Sequence, residues 1–102
     1  MNKVEVLDMC AYVEVSTYRN RVMSSLYGDE VYKTPVQIAR ESNIRPNHIS
    51  KVLYELKKCS LVQCINEERR KGRLYCLTEK GKQICDHMVL QNGVVYKGVL
   101  DE

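Results

Sequence analysis

The sequence has 102 residues, enough for one domain with a modest core and too few for two. Apolar residues make up 44% and charged residues 28%, and no long apolar run is present, so a membrane-spanning chain is excluded and a soluble globular one is expected. Glu5 and Asp8 interrupt the stretch where a secretory leader needs an apolar core, so a cytoplasmic protein is predicted.

Residues 4 to 15 form the first candidate element. The spacing of Val4, Leu7, Cys10 and Ala11 predicts one apolar face of a short helix, although the valines of this stretch also suit strands. We favour the helix. Residues 1–15 are interpreted as an N-terminal extension and a candidate for dimerisation.

A second helix is predicted from Tyr18 to Tyr27, capped by Ser16 or Thr17. Its apolar side carries Val22, Met23 and Leu26, and Gly28-Asp29-Glu30 ends it. Arg19 and Arg21 fall on its polar side, where a solvated position is favoured over a phosphate contact.

The central part of the chain, residues 34 to 58, predicts two short helices joined by a tight connection. Thr34 is a candidate N-cap, and Pro35 fits the first helical position, where its missing N–H is no loss. Asn43 tolerates the left-handed conformation that ends a helix, and Pro46 can begin the next one. The apolar positions have helical spacing; they are Val36, Ile38 and Ala39 in the first helix and Ile49, Val52, Leu53 and Leu56 in the second. A helix-turn-helix is therefore predicted.

The outward face of the second of these helices is polar near its start. Its side chains can hydrogen-bond to a base edge or a phosphate, as reading of the major groove requires. These candidate DNA-binding residues are Arg45, Asn47, His48, Ser50, Lys51 and Tyr54. Any surface helix also shows polar residues outward, so this face alone does not decide the function.

Residues 61 to 78 predict a β-hairpin, with LVQCIN and RLYCLT as strands and EERRKG as the turn. The turn and the returning strand bring four cations together: Arg69, Arg70, Lys71 and Arg73. Hairpin turns are often charged, but a bunching of one sign is unfavourable unless an anion relieves it. From residue 45 to residue 73 there are eight basic and three acidic residues, a net +5, whereas the rest of the chain has a net −2. The positive charge is therefore local to the second helix and the hairpin.

After the hairpin, Thr78 is a candidate cap for a helix from Glu79 to about Leu90. Its apolar positions are Ile84, Cys85, Met88 and Val89. His87 has no ligand spacing to any cysteine or histidine and is interpreted as a surface residue. Residues 91–102 form a tail that contains a turn signal and an apolar run of strand character, VVYKGVL.

This order of elements resembles the winged helix-turn-helix transcription regulators of bacteria and archaea, of the MarR and ArsR kind. The resemblance rests on Lys58-Cys59-Ser60-Leu61-Val62, Lys71-Gly72-Arg73-Leu74-Tyr75 and Leu77-Thr78-Glu79-Lys80-Gly81-Lys82. It implies a mainly α fold with a small β-hairpin wing, in which residues 16–90 form the winged domain. Ser60 stands where the family usually has glycine, which bears on the tightness of that turn.

By the same resemblance, residues 45–58 are the recognition helix, residues 66–73 are the wing, and residues 31–33 form a short strand beside the wing. It also implies a homodimer built from terminal elements, residues 1–15 and 84–100, with two reading helices about one duplex turn apart. No cofactor is implied. Whether the protein binds a small-molecule effector stays open, and the short terminal segments favour no dedicated pocket for one.

Five cysteines remain to be explained, and their odd number without a C-x-x-C spacing supports neither a disulfide framework nor a zinc site. If the turn spans residues 66 to 72, Cys64 and Cys76 fall roughly opposite each other. Alternation with Tyr75 and Leu77 inward places Cys76 on the outer face, so a redox pair or soft-metal site is a hypothesis there. No other metal site is predicted.

Together these patterns predict a sequence-specific binder of double-stranded DNA, hence a transcriptional regulator, with repression favoured over activation. Asn47 and Lys51 are the best candidates for base contacts, and the four hairpin cations for backbone or minor-groove contacts. A winged-helix module that binds protein or RNA is the alternative, since fold alone does not settle function. An enzyme is not expected, because the sequence offers no nucleophile–base pair, paired carboxylates or glycine-rich phosphate loop.

Overall fold

The computed structural model describes residues 1–92, with side chains up to residue 89. It has five helices and two strands in these residues: α1 (Lys3–Glu14), α2 (Thr17–Ser25), α3 (Pro35–Ser42), α4 (Pro46–Lys58), β1 (Val62–Cys64), β2 (Tyr75–Leu77) and α5 (Glu79–Asn92). None of the helices in this range is long and apolar enough to cross a membrane. The predicted tail strand lies outside the described residues.

The N-terminal segment is a helix, as favoured, and a capping box begins it. The Asn2 side chain accepts from the Glu5 N–H, and the Glu5 carboxylate accepts from the Asn2 N–H, each at 2.9 Å. The predicted apolar face was wrong in part, however. Val4 and Leu7 are 66% and 42% exposed, and the buried side of α1 carries Cys10 and Val13, with Val6 and Met9 packed against the core.

Helices α2, α3 and α4 pack on one another and form a three-helix core. The predicted apolar sides of α2 and α4 are confirmed, since each of their seven residues is buried: Val22, Met23, Leu26, Ile49, Val52, Leu53 and Leu56. In α3, Ile38 and Ala39 are buried as expected, but Val36 is 59% exposed. Burying a leucine or isoleucine side chain contributes roughly 1.5–3 kcal/mol, so this core dominates the stability of the fold.

Both helices of the helix-turn-helix end in the same left-handed turn. Asn43 ends α3 with φ of 56°, and Ser60 follows α4 with φ of 61°. After α4 the Ser60 N–H donates to Lys57 O and the Leu61 N–H donates to Leu56 O, both at 2.9 Å, which is the Schellman pattern. Ser60 thus adopts a left-handed backbone conformation that usually favours glycine.

Strands β1 and β2 pair antiparallel, with Val62 opposite Leu77 and Cys64 opposite Tyr75. The expected strand at residues 31–33 is reduced to one bridge, in which Lys33 and Tyr75 exchange both backbone hydrogen bonds, at 3.0 and 2.8 Å. This bridge ties the loop before α3 to the base of the hairpin. The predicted mainly α fold with a hairpin wing is confirmed.

The junction between β2 and α5 is tightly packed. Thr78 caps α5 as predicted, because its Oγ1 accepts from the Gly81 N–H at 3.0 Å while donating to Ser60 O at 2.5 Å. A Cβ at Gly81 would lie 2.1 Å from Leu61 O, so only glycine fits. Helix α5 then packs on α1, and its residues Ile84, Cys85 and Met88 are buried as predicted.

The proposed pairing of Cys64 and Cys76 is wrong. The register places Gln63, not Cys64, opposite Cys76, so the two thiols point to opposite faces of the hairpin. Cys76 is also only 8% exposed, whereas an outer-face position was expected. All five cysteines are free thiols, and burial raises the pKa of Cys85 to about 12, which makes it a poor nucleophile for redox exchange. Within residues 1–92 no cluster of metal-ligating side chains is found.

Replacing Ser60 with glycine tests the strain at this turn. Ser60→Gly is expected to raise the free energy of unfolding by about 0.5–1 kcal/mol, because glycine adopts a positive φ without the steric cost of a side chain. Urea unfolding followed by circular dichroism measures the change. Ser50→Gly, in the right-handed interior of α4, is the control and should lower stability by about 0.5 kcal/mol. A Ser60→Gly protein no more stable than the parent would show that this turn is unstrained.

Candidate nucleic-acid interface

All six side chains predicted on the outward side of α4 are exposed. We call them the reading face: Arg45, Asn47, His48, Ser50, Lys51 and Tyr54. They are presented because Ile49, Val52, Leu53 and Leu56 anchor the other side of the same helix. The residues that could contact a base edge are thus held on a rigid helix, as groove reading requires.

One side of the reading face adjoins the start of α2. The rings of His48 and Tyr18 meet edge to face with centroids 6.0 Å apart. Here a cleft of about 290 Å³, which we call the helix cleft, separates the two helices; it is lined by Ser16, Tyr18, Arg19, His48, Lys51, Val52 and Glu55. No sequence pattern indicated that Tyr18 adjoins the reading face, since it lies far from α4 along the chain.

The other side of the reading face adjoins the wing. A second cleft, of about 270 Å³, is the wing cleft; it is lined by Pro35, Ser50, Leu53, Tyr54, Lys57, Arg73 and Tyr75. Every polar side chain in this lining can donate a hydrogen bond, and none of these seven residues carries a carboxylate. Such a cleft suits an anion. Lys57 and Tyr75 belong to this site, although they were not predicted to do so.

A salt bridge holds the wing against α4. Lys57 Nζ lies 2.5 Å from Glu67 Oε1. The hydrogen bond from Lys57 lowers the pKa of Glu67, and the same bond raises the pKa of Lys57. Both side chains are substantially exposed, so the pair orients the wing rather than stabilising the fold.

The wing itself, residues 66–73, is held together by its own side chains. Asn66 Oδ1 accepts from the Leu74 N–H at 2.8 Å, and its Nδ2 donates to Gly72 O at 3.2 Å. Arg73 donates from Nε to Arg69 O at 2.6 Å and from Nη2 to Glu67 O at 2.9 Å. Two of the Arg73 nitrogens are therefore already engaged by the wing backbone, which the sequence did not indicate.

The remaining predicted wing cations differ in how they are engaged. Arg69 Nε donates to Lys71 O at 3.3 Å, whereas Arg70 and Lys71 make no side-chain hydrogen bond or ion pair within residues 1–92. Both are exposed at the end of the wing. These two cations are the ones most available to an anionic partner.

Arg19 does not occupy the solvated position expected for it. Its Nη1 donates to Tyr12 O at 3.0 Å, its guanidinium lies 3.8 Å over the Tyr12 ring, and its Nε lies 3.4 Å from Glu55 Oε1. The residue therefore joins α1 and α4. Its role depends on partners seven and 36 positions away, which no local pattern reveals.

A three-helix core whose last helix presents an exposed polar face, followed by a hairpin clamped to that helix, defines a winged helix-turn-helix domain. The chain is similar to a MarR family transcription regulator of known crystal structure, with a TM-score of 0.56 and 21% identity, over 89% of this chain and 68% of that one. No protein-family model matches the sequence, and no curated protein does. At this identity the similarity shows the fold, and the function has to be argued from the surface.

Replacing Asn66 tests whether the wing is internally held. Asn66→Ala removes the acceptor of the Leu74 N–H, so exchange of that amide with solvent is expected to accelerate about fivefold, the equivalent of ~1 kcal/mol for one net hydrogen bond. Hydrogen exchange followed by NMR measures it. Glu68→Ala, an exposed change in the same loop, is the control and should leave the rate unaltered. An unchanged Leu74 rate in Asn66→Ala would mean that the loop does not depend on this side chain.

Proposed function

We propose that this protein binds double-stranded DNA at specific sequences and regulates transcription. The observation that carries the proposal is the wing cleft, whose polar lining consists of hydrogen-bond donors and lies between the reading face and the cationic end of the wing. The order of reading face, wing cleft and wing end matches a DNA duplex, because the phosphates of a strand lie between the major groove and the minor groove.

In this arrangement the reading face enters the major groove, with Asn47 and Lys51 contacting base edges. The wing cleft receives the phosphates of the strand beside it through the hydroxyls of Ser50 and Tyr54, while Lys57 stays paired with Glu67. Arg70 and Lys71 reach the next stretch of backbone or the minor groove, with Arg69 beside them. Arg73 donates hydrogen bonds to the wing backbone, and its positive charge contributes to the wing cleft.

We further propose that the protein acts as a homodimer. Helix α1 has a second apolar stripe, opposite its buried side, formed by Val4, Leu7, Ala11 and Val15. These residues follow helical spacing and all are exposed, which is typical of a face that packs on another helix. A second copy of α1 would cover it and would bring two reading helices to one duplex. We propose repression, because a dimer bound to promoter DNA blocks access of the transcription machinery without contacting another protein.

Neutralising the wing end tests the DNA assignment. Arg70→Ala/Lys71→Ala is expected to weaken binding to all duplexes alike and to reduce the slope of log K against log salt by about 1.8, the value for two lost phosphate contacts. Fluorescence anisotropy with genomic duplex fragments at several salt concentrations measures it. The matched control is Lys3→Ala/Lys82→Ala, which removes two exposed lysines elsewhere and should leave the slope unaltered.

Two results would contradict the proposal. The first is an unchanged slope in the wing variant. The second is tighter binding by the parent protein to RNA of matched sequence than to duplex DNA, which would favour an RNA-binding module instead.

A charge in the apolar stripe of α1 tests the dimer. Leu7→Glu is expected to convert a dimer into a monomer at micromolar concentration, because a carboxylate buried between two helices has no partner. Sedimentation velocity measures the mass. Val36→Glu places the same charge at an exposed apolar position on α3 and should leave the mass unchanged. A parent protein that sediments as a monomer would remove the dimer from the proposal.

A further inference from the structure

The lining of the helix cleft contains one carboxylate, that of Glu55. Glu55 lies four residues after Lys51 on α4, so the two side chains occupy neighbouring positions on the helix surface. A lysine and a glutamate at this spacing attract each other by a few tenths of a kcal/mol in an isolated helix. Lys51 nevertheless makes no ion pair within the described part of the chain.

The ion-pair partner of Glu55 is Arg19 instead. Its Nε lies 3.4 Å from Glu55 Oε1, and the pair is largely shielded, with side-chain exposures of 19% for Arg19 and 28% for Glu55. A guanidinium is always charged and keeps its planar geometry, which makes it the stronger partner for a half-buried carboxylate. Glu55 is thus paired with a residue of α2 and makes no ion pair with Lys51.

Helix α1 holds Arg19 in that position. The Tyr12 carbonyl accepts from Arg19 Nη1, and the Tyr12 ring lies under the guanidinium, so the side chain is fixed from two directions. Burial raises the pKa of the Tyr12 phenol, and the neighbouring Cys59 at the end of α4 raises it further.

We propose that Arg19 is a positioning residue of the DNA site: it holds Glu55 away from Lys51 and so leaves the Lys51 ammonium available to the nucleic acid. This inference rests on the proposed function and assigns to α1 a part in it, because the placement of Arg19 depends on Tyr12. Arg19 itself does not contact DNA. Without Arg19, Glu55 is free to pair with Lys51. The positive charge of Lys51 is then neutralised, although the Lys51 side chain is still present on the reading face.

A double-mutant cycle tests this assignment. Arg19→Gln keeps an amide that can donate to the Tyr12 carbonyl but has no charge, and it is expected to weaken DNA binding about tenfold, the equivalent of one lost base contact. In a Glu55→Gln background the same change is expected to cost less than about twofold, because no carboxylate remains to capture Lys51. In a Lys51→Ala background it should likewise have almost no effect. Affinities are measured by fluorescence anisotropy, with circular dichroism confirming that each variant is folded.

Two further variants separate positioning from other roles. Arg19→Lys retains a cation for Glu55 and should keep affinity within about twofold of the parent, as expected for a rescue by charge. Lys82→Gln removes an exposed cation from α5 and is the matched control. If Arg19→Gln unfolds the protein, Arg19→Lys is compared with Arg19→Lys/Glu55→Gln instead. These two variants are then expected to bind DNA equally well.

Other outcomes would overturn the inference. An equal loss with and without the Glu55→Gln change, together with a salt slope reduced by about 0.9, would make Arg19 a direct phosphate contact. If the loss of DNA affinity correlates with a lower melting temperature, and Glu55→Gln does not reduce that loss, Arg19 is a structural residue only. Failure of the proposed function is distinguishable from both, since the parent protein itself would then show no binding to DNA.

Discussion

The burial of one side of α4 is the constraint on which the rest of this structure depends. Ile49, Val52, Leu53 and Leu56 are enclosed by α2 and α3, and this enclosure fixes the rotation of α4 about its own axis. A helix fixed in this way has only one set of outward side chains, and in α4 that set is polar. Turning the helix by one position would expose leucines and bury Lys51, at a cost of several kcal/mol.

The surroundings of α4 then determine what its exposed side can do. On one side the wing is held by the salt bridge between Lys57 and Glu67 and by the bridge between Lys33 and Tyr75, so that a donor-lined cleft continues the reading face. On the other side α2 supplies Tyr18 and Arg19. The two flanks are chemically different. The wing flank concentrates hydrogen-bond donors, whereas the α2 flank contains the carboxylate of Glu55, which is paired with Arg19.

Local sequence signals predicted most of the fold, because they describe interactions that a short segment completes by itself. Thr34 and Thr78 act as caps within their own first turns, and Asn43 ends α3 in the expected left-handed conformation. The apolar periods of α2 and α4 were correct, since each helix has one strongly apolar side. Helix α1 was different: it has apolar residues on two sides, and its own sequence does not say which side meets α2 and α5.

The sequence by itself therefore determined helices α2 to α5, the caps Thr34 and Thr78, the hairpin, and the concentration of positive charge between residues 45 and 73. Only the tertiary structure decided which side of α1 is buried, that Cys64 and Cys76 face apart, and that Arg19 is paired internally. The physical reason is distance along the chain. A cap or an apolar period is satisfied within a few residues, whereas a strand register or the partner of an arginine is chosen among groups that only folding brings together.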